Sequence, residues 1–220
     1  MAVVQVRRSA SFAVSGSTPL DVMCSMGGGY SSGSRIPPRL EDAIRGMDGG
    51  IVPFGNEEFD FIINNQVMEH VENLDFVLSE IHRVLKPGGN VLSLFPDSGV
   101  WREGHCGIPF LHWFRDSRLR LYYAATLRTL GLGHFKRKKS VMQWSRDFCE
   151  WLDKWTFYRD TPEIERCYAQ YFIEQNHIED YWLQKRLGSW RFLATSCPVA
   201  LQRFVVRKWI GLVFTTRKAV

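Results

Sequence analysis

Two histidines and a carboxylate, Glu103, His105 and His112, stand close together in the segment 96–114, between Trp101 and Trp113. An imidazole changes charge near neutral pH, so His105 is suited to take a proton from a substrate hydroxyl or an acidic carbon. Glu103, two residues earlier, is placed to orient that ring or to take the proton itself. A loop histidine also serves simply to hydrogen-bond the backbone, and that reading stands beside the catalytic one. Two histidines seven residues apart with one glutamate fit no standard ligand spacing, so no metal is expected. Gly and Pro punctuate the whole segment, which marks a long loop, and loops on a rigid scaffold are where substrates are commonly bound.

The elements that must position this loop lie just before it. Residues 59–64 are an apolar run rich in Phe and Ile, suited to a strand buried on both faces. Asn73 sits where an N-cap is expected, and Asp75 puts a carboxylate in the first turn. Leu74, Val77, Leu78, Ile81, Val84 and Leu85 then recur at helical spacing, predicting a helix over 74–85 with one buried stripe. Lys86 is expected in its last turn, and Pro87-Gly88-Gly89 as its stop. Residues 91–95 form a second buried-strand run. Strand, helix, strand with short connections predicts a right-handed βαβ unit, a parallel sheet and an α/β domain.

The same stretch resembles the second half of a class I S-adenosylmethionine-dependent methyltransferase domain of the methyltransferase type 11 kind. The resemblance rests on Pro53-Phe54, Glu58-Phe59-Asp60, Val67-Met68-Glu69-His70-Val71 and Arg83-Val84-Leu85-Lys86-Pro87-Gly88-Gly89, in this order and spacing. It is close over about 45–97 and looser toward the C-terminus, where residues 211–218 resemble a closing strand. It implies a Rossmann-like sheet, S-adenosylmethionine as cofactor, and cofactor contacts from the loop Asn64, Asn65 and Gln66 at the C-terminal edge of the sheet. Simple capping of strand and helix ends is the other use of those amides. The resemblance also places an adenine-binding acid near Asp48, with Gly49 beside it, although Asp-Gly makes a turn equally well. His70 is expected to support its loop.

Before residue 50 the pattern departs from the family. Asp21 and the block Gly27, Gly28, Gly29 echo the Gly-rich cofactor turn, but the glycines are not spaced. A flexible linker reads equally well there. The stretch from Gly29 to Pro53 is too short for the helices and strand the family places there, so the N-terminal part is read as shortened or degenerate. A poorly ordered 1–44 is therefore expected ahead of a methyltransferase-like α/β domain at 45–220.

Length and composition bound the rest. The chain has 220 residues, 45% of them hydrophobic, and no apolar run long enough to span a membrane. Its five cysteines form no C-x-x-C, so neither a disulfide framework nor zinc is indicated, and a reduced, cytoplasmic setting is expected. The net charge of +5 is mild, and the basic run 136–139 reads as a solvated loop, so no nucleic-acid partner is expected. A helical insertion at about 98–155 is expected to cover the acceptor side. Thr161 as N-cap with Pro162 predicts a helix start, and 171–173 a strand. The basic amphipathic stretch 198–209 is expected to pack on the sheet, with peripheral membrane contact as its alternative. Residues 210–216 are expected to be the final edge strand.

These readings converge on methyl transfer from S-adenosylmethionine to a small-molecule or lipid-like acceptor. The alternative is a degenerate, non-catalytic relative acting as a scaffold. A nicotinamide enzyme is disfavoured, because no spaced G-x-G-x-x-G occurs.

Overall fold

The computed structural model describes residues 51–136 and 138–220, together with the backbone of 4–7. The fold is α/β. Its sheet has five strands in the order β1-β2-β3-β5-β4: β1 (Val4–Arg7), β2 (Phe59–Asn65), β3 (Leu85–Phe95), β5 (Leu212–Arg217) and β4 (Ile173–His177). The expected βαβ unit is present. β2 and β3 pair in parallel near the middle of the sheet, joined through helix α1 (Leu74–Val84). Asn73 caps α1 as predicted, its side chain accepting from the Phe76 N–H at 3.0 Å. The stripe Leu74, Val77, Leu78, Ile81 and Val84 is buried with Ile62, Val91, Phe95 and Phe214 in the main core.

Several boundaries move for physical reasons. α1 ends at Val84 rather than 85, and Pro87-Gly88-Gly89 lies inside β3 instead of stopping a helix. Leu85 is extended (φ −81°, ψ 135°) and pairs with Phe59, while Phe61 pairs with Asn90. The Pro-Gly-Gly stretch bulges within that register shift, where the missing proline N–H is tolerated. It is held from the other side, the Lys218 N–H donating to the Gly89 carbonyl at 2.9 Å. Lys86 reaches Asp60 at 2.8 Å.

The closing strand is not an edge. β5 runs antiparallel to β3 and is itself covered by β4, so the sheet is parallel only at β2–β3. The strand expected at 171–173 begins only at Ile173, because Phe172 is buried in the core under α1. The N-terminal residues 4–7, expected to be poorly packed, pair antiparallel with β2.

The expected helical insertion is α2 (Ser117–Thr129) and α3 (Val141–Trp155), which share a second core around Trp144, Leu152 and Ile108. Helix α4 (Thr161–Ala169) carries Pro162 in its first turn as predicted, but its cap is Asp160, which accepts from the Glu163 N–H at 2.8 Å. The Thr161 hydroxyl is used instead to donate to buried Asp97 at 2.6 Å. Helices α5 (Glu179–Leu187), α6 (Arg191–Thr195) and α7 (Val199–Trp209) complete the chain. The expected packing of 198–209 on the sheet is only partial. Val206 and Gln202 are buried, whereas Leu201, Phe204 and Val205 remain exposed.

Candidate functional site

Because β2 and β3 are parallel, the chain leaves both at one edge of the sheet, the edge where α/β domains bind ligands. After β2 a single 3-10 turn, Met68–His70, delivers Glu69 and His70. After β3 the 96–114 loop folds into a tight bend, with the Glu103 N–H donating to the Ile108 carbonyl at 3.1 Å and a bridge between Arg102 and Pro109. Gly107 at φ +76° makes that bend feasible, since a Cβ there would collide with the His134 ring. The Trp101 N–H donates to the Lys208 carbonyl at 2.8 Å, which ties the loop to α7.

Inside this bend Glu103 is fully buried and saturated with donors. It accepts from His105 Nδ1 at 2.6 Å, the Cys106 N–H at 2.6 Å and the Tyr158 hydroxyl at 2.9 Å. Burial opposes its charge, but the bonds from His105 and Cys106 win and hold its pKa down to about 2. Burial alone would lower the pKa of His105; the Glu103 carboxylate raises it instead. His105 Nε2 lies 3.1 Å from His70 Nε2, and His70 Nδ1 donates to the Trp155 carbonyl at 2.6 Å. Burial lowers the pKa of His70. Both rings therefore carry a proton on Nδ1, and a neutral pair would turn two lone pairs toward each other. A hydrogen or a cation between the two Nε2 atoms would satisfy both.

Glu69 stands beside this pair with its carboxylate buried and neither oxygen hydrogen-bonded. Burial raises its pKa to about 7. Trp151 packs edge-on or tilted against both imidazoles, with ring centroids 5.9 Å from His70 and 4.9 Å from His105. A cavity of about 370 Å³ opens here, lined by His105, Phe135, Trp144, Phe148 and Trp151 and by the ion pair Lys139–Asp147.

The structure thus joins Glu103 and His105 as the sequence suggested. His112 is not hydrogen-bonded to them: its ring nitrogens are buried and the ring packs tilted against Tyr158, with ring centroids 4.8 Å apart. Of the expected cofactor loop, Asn65 and Gln66 are exposed at the end of β2, Gln66 with φ +55° and its N–H donating to the Leu94 carbonyl at 2.7 Å. Asn64 is buried instead, its amide donating to the Tyr168 hydroxyl at 3.2 Å, so it holds α4 to the sheet. Asp21, Gly27, Gly28, Gly29, Asp48 and Gly49 lie outside the described residues. Glu69, Tyr158 and Trp151 were missed as site residues. Nothing local marks Tyr158, 55 positions from the carboxylate it contacts.

Residues 35–93 match a family model described as a methyltransferase domain. A stretch of 44 residues is 46% identical to an uncharacterized protein of Methanocaldococcus jannaschii, covering 20% of this chain and 22% of that protein. Similar solved structures include phosphoethanolamine N-methyltransferase 2 of Haemonchus contortus, at 15% identity and a TM-score of 0.36 over 76% of this chain and 35% of that one. A methyltransferase of Mesorhizobium loti is 12% identical, with a TM-score of 0.42 over 78% of this chain and 68% of that one. The geranyl diphosphate C-methyltransferase of Streptomyces coelicolor is 14% identical, with a TM-score of 0.39 over 82% of this chain and 54% of that one. The chain thus spans about a fifth of the curated relative and about a third of the Haemonchus enzyme. Residues 35–93 of this α/β chain match the methyltransferase domain family, over the segment that builds β2, α1 and most of β3.

Proposed function

We propose that this protein transfers a methyl group from S-adenosylmethionine to a small-molecule or lipid-like acceptor. One coincidence carries the reading. The segment that matches the methyltransferase family is the one whose strand ends hold the Glu103–His105 pair beside an aromatic cavity. The exposed amides Asn65 and Gln66 fit a cofactor at this edge, because they can face a charged ligand without adding charge. Asp48, Gly49, Asp21 and the Gly27–Gly29 block are assigned to the same cofactor by resemblance. When bound, the cofactor supplies an activated methyl group, so the chain's own task is alignment and the exclusion of water.

The cavity is of small-molecule size, and its aromatic lining suits an apolar acceptor body. The Glu103–His105 pair and Glu69 are the groups able to take a proton from the acceptor. Titration calorimetry of the full chain with S-adenosylhomocysteine is the direct test, and stoichiometric binding is expected. A folded chain that fails to bind would be a non-catalytic, methyltransferase-like partner protein.

A lipid-like acceptor is favoured by the apolar residues exposed on α6 and α7, Phe192, Leu193, Leu201 and Phe204, on helices that also carry Arg203, Arg207 and Lys208. No helix among the described residues is long and apolar enough to cross a membrane. Peripheral contact is therefore the form proposed, and cosedimentation with anionic vesicles, weakened by salt, is the expected result. Equal recovery with and without vesicles would remove it.

A further inference from the structure

The structure assigns a first-row divalent metal site, of the class that takes zinc, to Glu69, His70 and His105. One ligand-capable atom from each lies within 4.8 Å of the other two.

The imidazoles give the first argument. Each has its Nδ1–H committed, His70 to the Trp155 carbonyl and His105 to the Glu103 carboxylate. Metal-bound histidines are supported in this way, since the Nδ1 bond fixes the tautomer and frees the Nε2 lone pair. The two Nε2 atoms are 3.1 Å apart. Two nitrogens each bound to one tetrahedral zinc ion at the usual length would lie roughly 3.3 Å apart. The rings are already near chelating distance.

Glu69 gives the second argument, and it separates a metal from a proton. A proton shared by the imidazoles satisfies their contact but leaves both Glu69 oxygens buried without a partner. Buried polar groups are rarely left so. A dication placed between the three side chains satisfies all of them. Glu69 Oε1 is 4.0 Å from His70 Nε2 and the three ligand atoms lie within 4.8 Å of one another, so a side-chain adjustment of roughly 1–1.5 Å completes the set. Glu69 and Glu103 together also balance a dication in charge.

The ligand types narrow the ion. Two imidazoles and one carboxylate suit zinc, iron or cobalt, whereas magnesium and calcium prefer an all-oxygen shell and copper(I) prefers sulfur. His70 and His105 are each about a quarter exposed (26% and 27%), so positions remain open for water or an acceptor oxygen. His105 also lines the aromatic cavity, which puts the ion beside the proposed acceptor pocket. The site stands on its own geometry; only its use in methyl transfer rests on the proposed function.

The test is titration of the chelator-treated full chain with Zn²⁺ alone. One ion per chain is expected. Glu69→Gln, His70→Ala and His105→Ala should each weaken binding at least about 100-fold, Glu103→Gln about 10–100-fold, and His177→Gln not at all. Should the ligand variants fail to fold, X-ray absorption of the zinc-loaded intact chain decides. A shell of nitrogen and oxygen near 2.0–2.2 Å supports the site, and sulfur near 2.3 Å overturns it. Absence of stoichiometric binding, or full affinity in folded His70→Ala and His105→Ala, also overturns it. A parallel titration with S-adenosylhomocysteine keeps the two readings apart. Zinc without that ligand sinks the methyltransferase reading alone, and that ligand without zinc sinks the metal site alone.

Discussion

Glu69 and Glu179 are both glutamates with fully buried side chains beside a histidine, and the fold treats them in opposite ways. Glu179, at the start of α5, accepts from His177 Nδ1 at 3.1 Å and from Arg207 Nε at 2.8 Å. Burial pushes its pKa up, but the bond from His177 and the charge of Arg207 outweigh that and hold it below the ordinary carboxylate range. His177 also reaches Glu165 at 3.0 Å, so the cluster ties β4, α4, α5 and α7 together on the outer side of the sheet. Glu69, at the ligand edge, has neither carboxylate oxygen hydrogen-bonded among the described residues, and burial raises its pKa to about 7. Glu179 has one oxygen, Oε1, matched by two donors while Oε2 has no hydrogen bond among the described residues; Glu69 has neither oxygen matched. A carboxylate left unmatched beside the half-buried His70–His105 pair is open to a ligand.

The two histidines offer the widest test of this contrast. His105→Ala is expected to lower methyl-transfer turnover about 10²–10⁴-fold with S-adenosylhomocysteine affinity nearly unchanged. His177→Ala is expected to leave turnover per folded molecule unchanged and to lower stability instead. Steady-state kinetics with denaturant unfolding of both variants checks the pair. Equal kinetic losses would erase the distinction.

A middle-sized effect is expected at Arg207. Breaking a buried pair costs several kcal/mol, but Arg207 is about a third exposed, so Arg207→Ala should cost about 1–2 kcal/mol. The pH dependence has a definite sign. A depressed folded pKa contributes stability above the unfolded carboxylate pKa, and that stability is lost as pH falls through the folded value. Urea midpoints should therefore fall toward acid in the wild type and more gently in Glu179→Gln.

Glu69→Gln is expected to give the smallest change. With no partner to lose, the metal-free variant should stay within about 1 kcal/mol of the wild type, or gain, because an unpaired buried carboxyl group is costly. A loss of several kcal/mol would show that Glu69 is structural after all.

The sequence by itself determined the β2–α1–β3 unit. Its signals are local: apolar residues at fixed spacing, Asn73 as cap, and short connections that admit few topologies. Glu103 and His105 were legible for the same reason, being two residues apart on one loop. Other features were legible only in part. Pro87-Gly88-Gly89 reads as a helix stop, yet pairing with the C-terminal residues draws it into β3.

Tertiary structure alone decided the rest. Asn64 looks like a cofactor ligand until Tyr168, 104 positions away, takes up its amide. The final strand reads as an edge until β4 covers it. His70 meets His105 across 35 positions, and Tyr158 meets Glu103 across 55. Burial and long-range hydrogen bonding set the charge state of these groups, and neither leaves a period or a spacing in the chain. Glu69 is the clearest case: its residue type was visible, but the burial of its two carboxylate oxygens without a hydrogen bond among the described residues exists only after folding.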